Sequence, residues 1–244
     1  IAFSITSSSI YFFFLAIMGL LVVIACFRIL PSMRGHLAHH LEKNPIRQFK
    51  RIFSEQNSLV AIALIALLMF AGFTVIPFMG VYMVSNVGMR EADLPYLYFF
   101  GGLSTFFTAI LIGRLADRYD KRKLFYVIAL LSIIPIFWVT HLSHVPLSQM
   151  LVVTTLFMIL VSGRFIPVMA LITINVAPQL RGSFMSLISS AQQISAGLAS
   201  LVAGSIIGLS ATGEMTNFGV VGIVASIATI LCILLVINFR AVEH

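Results

Sequence analysis

Residues 58–84 read SLVAIALIALLMFAGFTVIPFMGVYMV, a stretch without a charged side chain. About 20 residues of α-helix cross a bilayer core of about 30 Å, so this stretch predicts a membrane-spanning segment. Six further apolar runs of similar length lie on either side of it. The seven runs are Ile10–Leu30, Ser58–Val84, Leu94–Arg114, Leu124–His141, Gln149–Asn175, Phe184–Leu209 and Phe218–Phe239.

The composition of the whole chain supports the same fold class. Apolar residues make up 60% of the 244 positions and charged residues 9%, whereas soluble domains carry roughly 25% charged residues. We therefore predict an all-α, polytopic transmembrane helical bundle. The net charge of +7 does not indicate nucleic-acid binding, because the basic residues sit in short gaps between apolar runs.

The basic residues are distributed unevenly among the gaps. Because successive gaps of a membrane protein alternate sides, the gaps after runs one, three, five and seven must share one side. They hold Arg28, Arg34, Lys43, Arg47, Lys50, Arg51, Arg114, Arg118, Lys121, Arg122, Lys123, Arg181 and Arg240, while the opposite side holds Arg90 alone. The positive-inside rule then predicts that the basic side and the C-terminus are cytoplasmic, in an integral protein of a plasma membrane.

The longest gap, Pro31–Asn57, has its own helical pattern. Asn44-Pro45 resembles a helix start, and apolar residues follow at helical spacing between basic ones. We expect an amphipathic helix on the cytoplasmic membrane surface, with a regulatory or partner site as the alternative. The three histidines of this gap are read as solvated, both cysteines as buried apolar residues, and no signal peptide is expected.

Residues 113–123, between the third and fourth runs, read GRLADRYDKRK. This segment resembles the loop motif G-x-x-x-D-R-x-G-[RK]-[RK] of the major facilitator superfamily of transporters. The matching positions are Gly113, Asp117, Arg118, Lys121 and Arg122. The segment departs from the motif at Asp120, where the family usually has Gly, so a different turn is expected there.

Two more stretches resemble the drug- and sugar-efflux members of that family. They are FTVIPFMG at 73–80 and RGSFMS at 181–186, the second leading to Gln192-Gln193. The resemblance implies that residues 1–30 are the last helix of an N-terminal half, 31–57 a cytoplasmic linker and 58–244 the C-terminal six-helix bundle. It also implies a partner, an N-terminal six-helix half supplied by residues upstream or by another chain, and a bacterial inner membrane.

The resemblance assigns the loop motif a role in conformational gating. Asp117 sits at a helix end among basic residues, where a carboxylate can meet the N-terminus of a neighbouring helix and an arginine. By symmetry Arg181 should face the equivalent loop of the other half. The alternative is a solvated charged turn that only sets topology.

Arg164 is the one ionisable residue well inside an apolar run. A charge in the hydrocarbon costs about 2.5–3.5 kcal/mol on insertion scales, so it is a candidate for function. Gly163 and Pro167 beside it predict a kinked helix with spare carbonyl groups. Arg164 could bind an anionic substrate group or pair with an acid, or it could cap carbonyls or snorkel.

The remaining candidates for substrate contact are polar or aromatic residues within the runs. They are Thr74, Phe78, Tyr82, Asn175, Gln192 and Gln193, for each of which interhelical packing is an equally good use. Gly72, Pro77 and Gly80 further predict an interrupted second run that flexes. No Asp or Glu lies inside a run, so if transport is proton-coupled, as the resemblance implies, the titrating carboxylate belongs to the other half.

These features favour a secondary transporter for a small solute, a drug-like compound or a sugar, working by alternating access in contact with membrane lipid. The sequence has no phosphate-binding G-x-x-x-x-G-K-[ST] segment, and no apolar run contains a carboxylate pair or a Cys/His set for catalysis at depth in the membrane. We therefore expect no enzyme activity, cofactor or metal. An intramembrane enzyme and a seven-span receptor are the alternatives, and a receptor would not explain the charged loop motif.

Overall fold

The computed structural model describes residues 2–29, 50, 52–174, 176 and 180–238. The chain divides into two units, Ile1–Lys43 and Asn44–His244, which are described separately. The first unit contains helix α1, Ala2–Ile29, with the apolar stretch Phe12–Cys26. Most of the predicted linker helix lies outside the described residues, although residues 52–54 are helical and Ile52 is buried.

The second unit is a bundle of α-helices. In chain order the helices are α2 Gln56–Phe73, α3 Ile76–Tyr82, α4 Leu94–Arg118, α5 Lys121–Thr140, α6 Leu147–Gly163, α7 Phe165–Ile174, α8 Arg181–Ile206 and α9 Phe218–Asn238. A π-helical turn, Met83–Val87, follows α3, and a 3₁₀ turn, Glu91–Asp93, precedes α4. Two-residue strands β1, Gly208–Leu209, and β2, Met215–Thr216, pair antiparallel between α8 and α9.

Five helical segments are long and apolar enough to cross a membrane. They are Gln56–Val87, Glu91–Arg118, Lys121–Thr140, Leu147–Thr173 and Phe218–Ile237, counted over the described residues. The all-α, polytopic helical fold class is therefore confirmed. Helix α8 forms as expected but falls outside this set, because its serines and two glutamines lower its hydropathy, and its predicted last residues 208–209 belong to β1 instead.

Two of the spans are interrupted, and both interruptions were predicted. Gln56–Val87 breaks after Phe73, and Leu147–Thr173 breaks at Arg164. Each break is followed by a proline, Pro77 or Pro167, in the first turn of the next helix. Proline lacks the N–H that a continuous helix would need there, so the chain restarts where a missing donor costs little.

The helices pack in two rows. Helix α8 lies along α2, and α4 lies along α6, while α9 contacts α2 and α5 contacts α6. We call the side on which α5 and α9 lie the rear of the bundle and the opposite side, to which α5 and α9 contribute no cavity-lining residue, the front. Buried apolar side chains form two core clusters, one near the end that carries the β1–β2 hairpin and one near the end that carries the 113–123 turn.

Candidate functional site

Two cavities open on the front of the bundle, one on each side of helix α6. The first, about 310 Å³, lies between α4 and the α6–α7 break, and the second, about 230 Å³, lies between α2–α3 and the same break. Ser162 lines both of them. The first is lined mainly by Gly102, Thr105, Phe106, Ala109, Ile159 and Ile166, and the second by Leu68, Met69, Gly72, Phe73, Ile76 and Phe165.

A third cavity continues the first along the α4–α6 groove. It has a volume of about 410 Å³, shares Ile159 with the first cavity, and extends past Phe100, Leu151 and Leu156 toward the hairpin end. Ser148 and Thr155 also line this third cavity, although its surface is almost entirely apolar.

Three hydroxyl groups, those of Thr105, Thr108 and Ser162, supply most of the polar chemistry of the first two cavities. Thr105 Oγ1 donates to the Gly102 carbonyl at 2.8 Å and Thr108 Oγ1 to the Ser104 carbonyl at 2.7 Å, so both retain only acceptor capacity. Ser162 is exposed. No carboxylate lines any of the three described cavities, so they suit a solute that is largely apolar and carries few polar groups.

Arg164 lies at the break but lines none of these cavities. Its side chain is fully buried and is among the largest fully buried side chains of the described residues. Nη1 donates to Thr229 Oγ1 on α9 at 2.7 Å and to Ser132 Oγ on α5 at 3.3 Å. Nε and Nη2 have no hydrogen-bond partner among the described residues. The predicted substrate residue is thus directed to the rear of the bundle.

The three bonded residues form a polar layer between the two core clusters. On α5, Ser132 lies between Ala129 of one cluster and Ile136 of the other. On α9, Thr229 has the same position between the two clusters, and so has Arg164 along the α6–α7 span. The apolar core of the bundle is thus divided near mid-span by one cation and two hydroxyls.

The candidates Thr74 and Tyr82 are buried, Thr74 at the α2–α3 break and Tyr82 at the far end of α3. Thr74 Oγ1 donates to the Ala71 carbonyl of its own helix at 3.2 Å. Tyr82 donates its hydroxyl to the Leu142 carbonyl at 3.0 Å and packs on Phe218 with a ring-centroid distance of 4.5 Å. Both side chains already have internal partners. Phe78 is half-buried and faces α8 near Gly204.

The polar candidates on α8 are placed less deeply. Gln193 is exposed and Gln192 half-buried, and Ser195 ties α8 to α2 by donating to the Ala66 carbonyl. Neither glutamine lines any of the three cavities described above. Asn175 lies outside the described residues.

The loop motif joins α4 to α5 through two residues, Tyr119 and Asp120. Asp120 has φ −57° and caps α5, with Oδ1 accepting from the backbone N–H groups of Arg122 at 2.8 Å and Lys123 at 3.0 Å. The departure from the family motif therefore needs no glycine, because no positive φ occurs there. The hydrogen bond from Lys123 is the main reason that the pKa of Asp120 lies below its ordinary value, and that from Arg122 adds to it.

The gating candidates at this turn, and Arg181 at the start of α8, are all at least partly accessible. Asp117, Arg118 and Arg181 are exposed, and Lys121 and Arg122 are half-buried. No salt bridge of these residues is formed within the described part of the chain. Gly113 has open space where a side chain would begin. The turn therefore presents a carboxylate and several cations that remain available for other contacts.

Side-chain to backbone hydrogen bonds hold together the hairpin end of the bundle. Asn86, in the π-helical turn, donates from Nδ2 to the Met215 carbonyl and accepts from the Met215 N–H, both at 2.9 Å. Arg90 pairs with Asp93 at 2.8 Å, which raises the pKa of this arginine. Arg90 is the one basic residue on its predicted side of the membrane, and its positive charge is thus balanced by the carboxylate of Asp93.

Sequence reasoning missed Ser162, Thr105, Ser132 and Thr229. One signal was present for the last two: each is a hydroxyl residue near the middle of an apolar run, where a polar group needs a partner, although Ser226 gives the same signal beside Thr229. Nothing local indicated that Arg164 would be that partner.

Interrupted apolar helices, front-facing cavities at the interruptions and a charged turn define a polytopic membrane protein of the transporter class. The family model described as Major Facilitator Superfamily matches the chain over residues 1–200 and again over 62–244. The chain belongs to this superfamily, whose members move solutes across membranes. A search among curated proteins gave no match.

Proposed function

We propose that residues 58–244 form the C-terminal half of a transporter that moves a small solute by alternating access. The observation that carries the proposal is the position of the cavities, which open beside the two helix breaks. Discontinuous helices lining a shared cavity are how many transporters build a site near the bilayer midplane. The front of the bundle would face an N-terminal six-helix half, supplied upstream or by a partner chain.

The lining chemistry favours a drug-like compound over a sugar as the solute. A sugar presents many hydroxyl groups, each of which needs a hydrogen-bond partner when it leaves water. The cavities offer Thr105, Thr108 and Ser162 against a mostly apolar lining. The amides of Gln192 and Gln193 on α8 would extend this set in the complete site.

We further propose that the transporter is coupled to protons and moves its solute out of the cell. Because no carboxylate lines the described cavities, a titrating acid would have to come from the other half. The resemblance to drug-proton antiporters supports this part of the proposal. The distribution of basic residues supports a cytoplasmic C-terminus and a bacterial inner membrane.

The exposed turn at 113–123 is the proposed gate. Asp117 would meet the N-terminus of a helix in the other half, and Arg181 would face the equivalent turn there. Exposure of both side chains supports the proposal, since such contacts must form and break during the cycle.

The test is solute flux in vesicles that contain the full-length protein. Ser162→Leu should fill both cavities and reduce the flux of apolar drug-like solutes, and Ser210→Leu in the hairpin loop is the control. Loss of flux in the first variant alone supports the site. Wild-type flux no different from that of empty vesicles, for a panel of drug-like and sugar solutes, would refute the proposed function.

A further inference from the structure

The α6–α7 break presents opposite chemistry to the two sides of the bundle. Ser162 lies at the front cavities, and Arg164 reaches the rear helices. Two residues along a helix turn the chain by about 200°, so neighbours at this spacing face opposite sides. Whatever fixes Arg164 at the rear therefore also fixes where Ser162 and the adjoining Phe165 stand at the front.

The partners of Arg164 are themselves oriented to receive it. Thr229 donates its own proton to the Ala225 carbonyl at 2.9 Å, and Ser132 donates to the Ala129 carbonyl at 2.7 Å. With both protons committed to their own helices, the two hydroxyl oxygens are left as acceptors. The guanidinium thus joins three helical segments, α5, α9 and the break, through one nitrogen.

Stability alone does not account for an arginine at this position. A buried charge is costly, and a well-packed apolar residue of similar volume is often neutral or stabilising by comparison. The two unpartnered nitrogens add to that cost. An apolar side chain could fill the space, but it could not direct the break toward particular atoms on α5 and α9.

We propose that Arg164 is a positioning residue for transport, one that fastens the α6–α7 break to α5 and α9 and so sets the front cavities. It acts through Ser162 and Phe165 and does not contact the solute. This inference rests on the proposed transport function. The contacts of Arg164 with α5 and α9 lie between the two core clusters. In the proposed transport cycle, the two ends of the bundle would move relative to each other at this level.

The first experiment removes the acceptor and leaves the arginine in place. Thr229→Val keeps the volume of the side chain but loses the oxygen that Nη1 contacts. The matched control is Ser226→Ala, which removes another buried hydroxyl of α9 that bonds only its own helix, at the Gly222 carbonyl. In full-length protein in vesicles, Thr229→Val should lower the maximal rate of flux about tenfold with KM nearly unchanged, while Ser226→Ala matches the wild type.

The second experiment measures coupling. Arg164→Met should lower the maximal rate at least as much as Thr229→Val, without lowering the thermal unfolding temperature. The double variant should be no slower than Arg164→Met alone, because the two residues act through one contact. Arg164→Lys should restore part of the rate, since it keeps one charged donor.

Three outcomes would overturn the inference while leaving transport itself intact. They are a Thr229→Val rate equal to that of Ser226→Ala, additive losses in the double variant, and a rise in KM at unchanged maximal rate for Arg164→Met, which would make Arg164 a solute ligand. Wild-type vesicles without flux would instead refute the proposed function, and this inference with it.

Discussion

The two interrupted spans use the same sequence device but are anchored differently. Each has a glycine ahead of the break and a proline after it, Gly72 with Pro77 and Gly163 with Pro167. At the α2–α3 break the nearest hydroxyl, that of Thr74, bonds its own helix. At the α6–α7 break the nearest polar group, Arg164, bonds two other helices.

The anchoring of the segment after the first break lies at its far end. Tyr82 bonds the Leu142 carbonyl, and Asn86 bonds the backbone of Met215 in the hairpin. Hydrogen bonds to other parts of the bundle therefore hold the segment after the first break beyond that break, whereas at the second break they act at the break itself. The comparison shows that a proline break alone does not define a hinge, because the hydrogen bonds around it decide which side can move.

The two breaks should differ most in how the free energy of unfolding responds to one added methyl group, that is, to a glycine-to-alanine substitution. A Cβ on Gly163 would lie 2.5 Å from Ile112 Cδ1, while a Cβ on Gly72 would meet Val161 Cγ1 at 3.5 Å, an ordinary contact. Gly163→Ala should lower the free energy of unfolding by about 1 kcal/mol, because the terminal methyl group of the buried Ile112 must move to another rotamer. Gly72→Ala should be neutral or stabilising by about 0.5–1 kcal/mol, because glycine is a poor helix residue.

The stability of the two glycine variants can be measured through Cys232, since its thiol is buried in the folded protein. In a Cys26→Ser background, the temperature at which a thiol reagent labels Cys232 reports unfolding. Equal labelling temperatures for the two glycine variants would show that α4 and α6 are not closely packed at the second break.

Loss of the hairpin anchor should come next in size. Asn86→Ala removes both hydrogen bonds to Met215 and should cost about 1–2 kcal/mol. Hydrogen exchange at residues 208–216 should become faster, while exchange around Arg164 stays unchanged. Asn86→Asp keeps the oxygen acceptor for the Met215 N–H and should show a smaller effect. Unchanged exchange in the alanine variant would mean that the hairpin does not hold the end of α3.

The Tyr82 anchor should have a smaller effect. Tyr82→Phe keeps the packing on Phe218 but leaves the Leu142 carbonyl without its donor, at a cost of about 1 kcal/mol. Spin labels on α3 and on the α5–α6 loop should then report a broader distance distribution. A distribution as narrow as that of the wild type would place the anchor elsewhere.

Much of this architecture could be predicted from the sequence, for a physical reason. Apolar runs, prolines and basic gaps act locally or through the bilayer, so five of the seven predicted spans and the positions of both breaks follow from the residues themselves. The family of the chain was also indicated by residues 113–123, and the family match supports it.

The direction of individual side chains could not be predicted in this way. Whether Arg164 faces the front or the rear depends on Ser132 and Thr229, which lie 32 and 65 residues away in the chain. Likewise Asn86 finds Met215 across 129 residues. A single sequence carries no periodic signal for such pairs. The interior polar residues could therefore be named as candidates, but the direction in which their side chains point could not be predicted.

Substitution of Asp120 should change the free energy of unfolding least. The turn that holds it is exposed and joins two helices without an interrupted span, so it serves as the reference for the two breaks. Asp120→Ala removes the cap of α5 and should cost about 0.5–1 kcal/mol, while Asp120→Asn keeps an oxygen acceptor and should cost less.

The folded-state pKa of Asp120 lies below its ordinary value of 3.8, so its stabilisation is present above that pH. This contribution is lost as the pH falls through the lower folded-state value. Unfolding measured from pH 6 downward should therefore show the difference between the wild type and Asp120→Asn shrinking only below about pH 4. A difference that is constant over the whole range would mean that the carboxylate charge does not contribute to the cap.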